Sequence, residues 1–211
     1  MYVPSHFEES RSELLHGLIA AHPLGVLITH GSEGLDANHL PFEIDAGIGD
    51  HGVLRTHVAR NNPLWQSLGN GDEVLVVFRA EDAYISPNWY PSQIESGKQV
   101  PTWNYRVVHA HGRITIHDDE KQVRGIVARL TRTHEAGQPV PWKMGDAPQG
   151  HIDSMLKSIV GIEIAITRLV GKFKLSQNRE VRDQINAGKI LIEQGDIALG
   201  TMMADAKPSK G

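Results

Sequence analysis

The sequence predicts a mainly β protein with peripheral helices, whose strands pair antiparallel and close into a barrel. Three observations favour this class. Apolar and polar residues alternate over several short stretches, most of these stretches are joined by short turns, and few helical segments lie between them. Parallel strands need a crossover segment of a dozen or more residues, usually a helix. We therefore expect antiparallel pairing, with the helices at the ends and edges of the barrel.

The first sixty residues predict one helix and three strands. Leu14, Leu15, Leu18 and Ile19 recur at helical spacing within residues 8–21, and Pro23 ends that helix. Alternating apolar residues then predict strands over 24–31, 35–45 and 52–59. The segment GSEG between the first two strands is typical of a hairpin turn.

The middle of the chain continues the β pattern. Residues 60–72 predict a short helix or turn, and residues 73–86 predict a strongly apolar strand with a second strand after the acidic AED turn. Residues 87–99 predict a polar loop. The strand over 105–117 follows, and its alternation places His109 and His111 on one face. That face must meet water, a metal or a ligand.

The last ninety residues predict further helices around one long strand. Helical spacing over 118–137 follows Asp118 and Asp119, which are predicted caps. A loop, a short helix, a long alternating strand and a helix broken at Gly188 come next, over 138–150, 151–159, 160–176 and 179–195. We expect a barrel domain over 1–180, a C-terminal helical extension over 181–204 and a disordered tail over 205–211.

Composition limits the chemistry of the protein. The 211 residues contain no cysteine, which excludes disulfides, thiolate catalysis and cysteine-ligated metal sites. Twelve histidines leave a histidine-based metal or haem site open, but no HExxH spacing is present and we expect no dedicated metal site. No apolar run is long enough to cross a bilayer. We expect a cytoplasmic protein without a membrane partner.

Charge bears on nucleic acid as a partner. Asp and Glu outnumber Lys and Arg by 25 to 21, and the formal net charge is −4. Proteins that bind DNA directly usually carry an excess of basic residues or a basic patch. The segment 168–182 is locally basic, but no segment resembles a helix-turn-helix. DNA as a direct partner is therefore not supported by charge or by a DNA-reading motif.

Two segments are candidates for binding an anion. The segment THVARNNP at 56–63 offers Arg60 and turn amides, which together can hold a phosphate. The alternative is a polar turn that caps the next helix. The second segment, residues 169–179, places Lys172 and Lys174 on one strand face. Lysines in this pattern protect an edge strand in most proteins, and a neighbouring anion is the alternative.

Aromatic residues concentrate in one polar stretch. Five of the eight Trp and Tyr residues of the chain lie within residues 82–105: Tyr84, Trp89, Tyr90, Trp103 and Tyr105. Aromatic side chains in a polar segment either pack on their own core or face a partner. The concentration favours an interface or a flat aromatic ligand.

Five motifs, in this order, resemble one family. They are MYVPSHF, HVARNNPLW, AYISPNWY, VPTWNYRVVHAHG and IVGIEIAITRLVGKFKLSQNR, and they extend from residue 1 to about residue 180. Together they resemble the PaiB-like family of FMN-binding negative transcriptional regulators. The resemblance implies an FMN-binding split β-barrel like that of pyridoxamine-phosphate oxidase, as a homodimer with flavin in clefts between subunits.

The resemblance also implies positions for FMN. The phosphate would meet Arg60, Asn61 and the strand end 55–57, the ring would be bordered by 38–40, and the aromatic loop would contribute 102–104. The implied cofactor-binding residues are Asn38, His39, Leu40, Arg55, Thr56, His57, Arg60, Asn61, Thr102, Trp103, Asn104, Lys172, Lys174 and Gln177. The two lysines and Gln177 are the weakest of these assignments.

Several functions stay open. The family name implies a flavin-binding repressor, and the fold also supports an FMN-dependent oxidoreductase acting on a flavin or a small molecule. A weaker alternative is a haem-binding or haem-degrading protein, because histidines are abundant. In an oxidoreductase the flavin would carry the redox chemistry. No residue can be named as an essential acid or base. His39 is the best available candidate for that role.

Overall fold

A computed structural model describes residues 1–206 of the chain. The described residues contain eight strands: β1 (Glu8–Glu9), β2 (Leu24–Gly31), β3 (Gly34–Pro41), β4 (Glu43–Asp45), β5 (Val53–Ala59), β6 (Glu73–Ile85), β7 (Thr102–His117) and β8 (Ile159–Lys174). They also contain seven α-helices: α1 (Ser12–Ala21), α2 (Leu64–Ser67), α3 (Pro91–Ser96), α4 (Glu120–Glu135), α5 (Gln149–Leu156), α6 (Val181–Glu193) and α7 (Ile197–Asp205).

The strands form one sheet in the order β3-β2-β6-β7-β8-β5-β4, and β1 pairs with β8 outside this path. The pairs β2/β3, β2/β6, β4/β5, β5/β8 and β1/β8 are antiparallel. The predicted class, mainly β with peripheral helices, is therefore confirmed. The described chain divides into two compact units, and β6, β7 and β8 contribute residues to both.

Unit 2 comprises Ser12–Phe78 and His109–Leu169. Its core is built from the alternating apolar residues of its strands, and Phe42 and Phe78 meet edge to face with 5.6 Å between ring centroids. At Gly112 the strands approach so closely that an added Cβ would lie 2.6 Å from the carbonyl oxygen of Ala165. Glycine is required there by the space between β7 and β8.

Unit 1 comprises Met1–Arg11, Arg79–Val108 and the chain from Val170 onward. Tyr90, Ile85, Leu191 and Leu199 lie in its core. Its two C-terminal helices, α6 and α7, pack through glycines, and an added Cβ on Gly188 would lie 2.7 Å from the carbonyl oxygen of Gly200. This close approach explains why glycine occupies the middle of α6.

Several predicted elements have different bounds in the structure. Residues 73–86 form the single strand β6, without a break at the AED segment. The predicted strand 35–45 is divided in two between Pro41 and Glu43. The predicted loop 87–99 contains a 3-10 turn and helix α3, which ends at Gly97 in the left-handed conformation. The backbone of the first predicted helix is helical only from Ser12.

The C-terminal predictions also differ in part. Helix α6 continues through Gly188, so the predicted break is absent and the glycine serves helix packing instead. Asp119 caps α4 as predicted, because its Oδ1 accepts from the backbone N–H of Gln122 at 3.1 Å. Asp205 is the last residue of α7, and residues 207–211 of the predicted tail lie outside the described residues. The predicted domain boundary at residue 180 stays a prediction.

Candidate functional site

Three cations lie at the end of β8 and in the turn after it. Lys172 and Lys174 share one face of the strand, and Arg179 follows the turn. Lys172 Nζ donates to the carbonyl oxygen of Tyr2 at 3.3 Å, and Lys174 Nζ donates to the Thr102 hydroxyl and to the carbonyl oxygen of Trp103. We call Lys172, Lys174 and Arg179 the cation cluster.

The partners of the cation cluster are neutral. Arg179 Nη1 donates to the amide oxygen of Gln99 at 2.7 Å, and its guanidinium lies over the ring of Tyr90. Among residues 1–206, none of the three cations pairs with a carboxylate. Burial lowers the pKa of the half-buried Lys174 ammonium, and the charges of Lys172 and Arg179 lower it further. Glu8 lies opposite Lys172 in the pairing of β1 with β8, but within residues 1–206 the three cations form no ion pair with it or with another carboxylate.

Two other cations of unit 1 form ion pairs with carboxylates. Arg106 pairs with Glu81, and Arg182 pairs with Glu95 at 2.5 Å and with Glu180 at 2.8 Å. The charges of Arg106 and Arg182 are therefore compensated by carboxylates of the same unit. The charge of the cation cluster is left for an anion from outside the chain.

The aromatic loop lies next to Lys174. The side chain of Trp103 is 54% exposed, and its ring meets that of Tyr84 edge to face at 6.0 Å between centroids. Asn104 is fully buried, and its amide nitrogen donates to the Ser176 hydroxyl at 2.9 Å. The Asn104 Oδ1 atom is buried without a partner among the described residues. The exposed aromatic ring fits a flat ligand, whereas Asn104 belongs to the buried layer beneath it.

The turn between β8 and α6 is held in an unusual conformation. Ser176 has φ of 65°, the left-handed region that side chains other than glycine rarely adopt. Its hydroxyl lies 3.1 Å from the Tyr90 hydroxyl, and the Gln177 side chain spans the turn from the Leu175 N–H to the Phe173 carbonyl. These contacts fix the direction in which the chain leaves the cluster, so Gln177 acts here as a positioning residue.

Arg55 occupies a carboxylate network in unit 2. Its Nε donates to Glu163 Oε2 at 2.9 Å, and its Nη1 donates to Asp45 Oδ2 at 3.1 Å and Glu43 Oε2 at 3.3 Å. The Arg55 hydrogen bond lowers the pKa of Asp45. A buried guanidinium that already faces three carboxylates is a poor phosphate ligand, and its role is to join β4, β5 and β8.

Arg60 is also engaged by the protein. Its Nε donates to the carbonyl oxygen of Lys157 at 2.7 Å, and its Nη2 donates to Asp118 Oδ1 at 2.5 Å. The carbonyl oxygen of Arg60 accepts from the indole of Trp65 at 2.9 Å. Arg60 therefore joins the end of β5 to the start of β8. This contact agrees with the alternative that the segment 56–63 is a polar turn.

The other predicted residues near Arg60 are dispersed. The Thr56 side chain is fully buried opposite Ile162 with its hydroxyl unpaired, while the alternation of β5 puts His57 on the other face. Burial lowers the pKa of His57. Asn61 is exposed in the turn after β5. The structure does not gather these side chains into one anion site.

The predicted ring-bordering residues lie on β3, at the edge of the sheet. Asn38 Oδ1 accepts from the amide of Asn62 at 2.9 Å, which ties β3 to the turn after β5. His39 is exposed opposite Val26, and Leu40 is half-buried opposite Gly25. Their role toward a flavin ring stays a prediction.

The face shared by His109 and His111 meets an arginine. Arg168 Nη2 donates to His111 Nε2 at 3.1 Å, and the two imidazole centroids lie 6.5 Å apart. Burial lowers the pKa of both histidines, and the charge of Arg168 adds to this effect. Over residues 1–206 no three His, Cys, Asp or Glu side chains are arranged to hold a metal ion.

Lys172, Lys174 and Gln177 are the weakest assignments made from the sequence, and Arg179 is not among the predicted residues. In the described structure the two lysines and Arg179 form no ion pair with a carboxylate, whereas Arg55 and Arg60 do. The set of cofactor-binding residues stays a prediction. The usable signal was the spacing K-x-K with an arginine five residues further on. Whether a cation already has a carboxylate partner depends on tertiary contacts, which the spacing does not contain.

The chain is similar in sequence to one protein family and to several individual proteins. Residues 1–168 match the family model described as "Putative FMN-binding domain". Protease synthase and sporulation protein PAI 2 of Bacillus subtilis is 30% identical over 187 residues, covering 88% of this chain and 86% of that protein. Protein AN0679 of Emericella nidulans is 35% identical over 212 residues, covering 84% of each chain.

Solved structures share the fold. The FAD and heme binding protein of Mycobacterium smegmatis superposes with a TM-score of 0.59 and 17% identity, over 79% of this chain and 73% of that one. The flavocytochrome Anf3 of Azotobacter vinelandii superposes with a TM-score of 0.54 and 13% identity, over 82% of this chain and 72% of that one. The predicted split-barrel class is confirmed.

Within residues 1–206, no helix combines the length and the apolar character needed to cross a bilayer.

The donor set of unit 1 fits the cofactor that the family implies, since the cation cluster suits a phosphate and Trp103 suits a flat ring. The predicted cofactor, FMN, is confirmed by the family match. The chain therefore belongs to the family of FMN-binding domains that also includes PAI 2 of Bacillus subtilis, as the sequence motifs predicted.

Proposed function

We propose that the cation cluster of unit 1 binds the phosphate of FMN. The observation that carries this proposal is the absence of a carboxylate partner at Lys172, Lys174 and Arg179 among the described residues. A phosphate carries close to two negative charges at neutral pH and accepts several hydrogen bonds. Its arrival would compensate the charge of the cluster, in which burial and the charges of Lys172 and Arg179 lower the pKa of Lys174.

The aromatic loop would hold the rest of the cofactor. The exposed ring of Trp103 offers a surface for the isoalloxazine ring, and the unpaired Asn104 Oδ1 lies in the adjoining buried layer. Thr102 would orient Lys174 through its hydroxyl. Bound FMN supplies one- and two-electron redox chemistry, while the residues of this chain bind and orient it.

We propose that the FMN-bound protein is a homodimer that acts as a negative regulator of transcription. The regulatory role is supported by the extent of the similarity to PAI 2, which covers most of both chains. Dimer formation is supported by exposed apolar side chains in and beside the aromatic loop, including Ile94 and Val100, which are 88% and 61% exposed. The net charge of −4 favours repression through a partner protein over direct operator binding.

The second candidate is an FMN-dependent oxidoreductase. The exposed Trp103 ring favours it, because an accessible aromatic surface beside a flavin could also receive a flat substrate. NADPH oxidation in the presence of FMN and electron acceptors distinguishes the two roles. Turnover with no effect on promoter activity would support the oxidoreductase over the regulator.

A matched pair of arginines tests the phosphate site. Arg179→Met should weaken FMN binding by roughly 1.5–3 kcal/mol, the range for a hydrogen bond to a charged group. Arg60→Met should lower thermal stability and leave the FMN dissociation constant within about twofold, because Arg60 is engaged by Asp118 and Lys157. Flavin fluorescence titration measures both. Loss of FMN binding in Arg60→Met alone would move the phosphate to unit 2.

Two further measurements test the regulator. Light scattering should give the mass of two chains at micromolar concentration. A promoter reporter in a cell that expresses the protein should be repressed, and Arg179→Met should relieve the repression. Repression that is unaffected by this substitution would separate regulation from flavin binding. A gel shift on the same promoter, repeated at rising salt, would report direct DNA contact.

A further inference from the structure

A cavity lies entirely within unit 2. It has a volume of about 410 Å³, is bordered by α4, α5, the segment 142–147 and the adjoining ends of β5 and β8, and is partly open to solvent. Its lining includes His57, Val127, Trp142, Met144, Met155 and Leu156. Pockets for small molecules commonly measure about 300–1,000 Å³ and are mostly apolar. The cavity has the size and the lining of such a pocket.

The charge of the lining restricts what the cavity can hold. No Lys, Arg, Asp or Glu side chain lines it. A phosphate or carboxylate would be transferred from water into apolar surroundings without a cation, which costs several kcal/mol. FMN and other anions are therefore unsuitable, and an uncharged molecule is favoured.

His57, His151 and Ser158 bring polar groups to the lining, and among them His57 is the residue with a buried, unpaired atom. Its Nδ1 is buried without a hydrogen-bond partner among the described residues. Burial lowers the pKa of the ring, so the imidazole is neutral at pH 7 and offers one donor and one acceptor. An unpaired buried polar atom costs about 1–3 kcal/mol, which a ligand with one hydroxyl could recover.

Trp142 and Met144 indicate an aromatic ligand. Both also line a neighbouring cavity of about 510 Å³ in the same unit, so the segment that carries them has space on two sides. Methionine sulfur and indole rings both make favourable contacts with aromatic rings. We propose that this cavity binds an uncharged, flat aromatic molecule that carries one hydrogen-bonding group, received by His57.

Two probes of equal shape test the proposal on the FMN-saturated protein. 2-Naphthol should bind at about one molecule per chain and roughly fivefold more tightly than naphthalene, as expected for one hydrogen bond. His57→Phe should abolish this preference and retain naphthalene binding. Intrinsic fluorescence of the naphthol and of the tryptophans measures both equilibria.

Blocking variants locate the probe. Ala147→Trp places a large ring on a residue that lines the cavity, and Ala46→Trp makes the same change at an exposed turn of unit 2. Ala147→Trp should abolish binding and Ala46→Trp should preserve it. If Ala147→Trp fails to fold, Ser158→Phe fills the cavity from the start of β8.

The proposal is overturned if the wild-type protein binds neither probe, or if a folded blocking variant binds 2-naphthol as the wild type does. It is also overturned if, in protein prepared without FMN, added FMN displaces bound 2-naphthol competitively, because the probe would then occupy the flavin site. FMN binding is measured independently in the same samples. Failure of this proposal therefore leaves the proposed flavin site unaffected.

Discussion

The ammonium of Lys174 donates to the hydroxyl of Thr102, a neutral group, in a half-buried position beside two other cations. This pairing fixes the direction of the lysine without cancelling its charge. It joins two motifs that lie seventy residues apart in the chain. The aromatic loop and the end of β8 thus act as one feature.

The protonation of Lys174 should control the pH dependence of FMN binding. Burial first, and then the neighbouring cations, lower its pKa below the usual 10.5. As pH rises through this lowered pKa, the side chain loses the charge that attracts the phosphate. We expect FMN affinity to fall at alkaline pH, measured by fluorescence titration. Lys174→Arg stays charged and should extend tight binding to higher pH; identical profiles would argue against this role.

Ser176 should matter for stability through its hydroxyl. Ser176→Ala removes the partner of the buried Tyr90 hydroxyl and leaves the Asn104 amide nitrogen only the sulfur of Met203, while the positive φ remains. We expect a loss of about 1–3 kcal/mol in the free energy of unfolding. Ser176→Gly loses the same contacts but relaxes the backbone, and should be about 1 kcal/mol more stable than the alanine variant. Urea denaturation that gives equal values for all three proteins would contradict this explanation.

Glycines in two helices should respond oppositely to alanine. Gly188→Ala puts a Cβ against the carbonyl of Gly200, so we expect a loss of about 1–3 kcal/mol despite the better helix propensity. Gly125→Ala in α4 meets nothing within 4 Å and should gain about 0.5–1 kcal/mol. Thermal unfolding of the two variants decides the point, and a stabilising Gly188→Ala would mean that α6 and α7 are not packed as described.

Histidine burial should make the protein sensitive to mild acid. The folded-state pKa values of His57, His109 and His111 lie below the ordinary 6.5. Between those values and 6.5 the unfolded chain binds more protons, so stability is complete above about pH 6.5 and falls as pH decreases. Urea unfolding at pH 7.5 and 5.5 measures the loss. His109→Gln should show a smaller loss than wild type, and a free energy that rises toward pH 5.5 would refute the prediction.

The fold was predictable because alternation is a local property. Apolar residues at every second position specify β2, β5 and β7 whatever the tertiary context. The continuity of β6 was not predictable in the same way. An acidic segment such as AED is typical of a turn, but Glu81 pairs with Arg106 and the strand continues through it. A long-range partner decided this outcome.

The candidate site was predictable only in part, for the same reason. The cofactor-binding residues stay a prediction, but Thr102, Trp103 and Lys174, which come from two of the motifs, meet in the structure. Arg55 and Arg60 were equally good phosphate ligands by residue type. The carboxylates of Glu43, Asp45, Glu163 and Asp118 engage them, and all four lie 10 or more residues along the chain from the arginine that they contact.

The most direct test of the flavin site compares FMN with riboflavin, which lacks the phosphate. Wild-type protein should bind FMN at least tenfold more tightly than riboflavin, and Lys174→Met should lose most of this preference, consistent with about 1.5–3 kcal/mol for a charged hydrogen bond. Lys189→Met, an exposed lysine on α6, is the matched control and should keep the preference. An unchanged FMN-to-riboflavin ratio in Lys174→Met would contradict the assignment of the phosphate to the cation cluster.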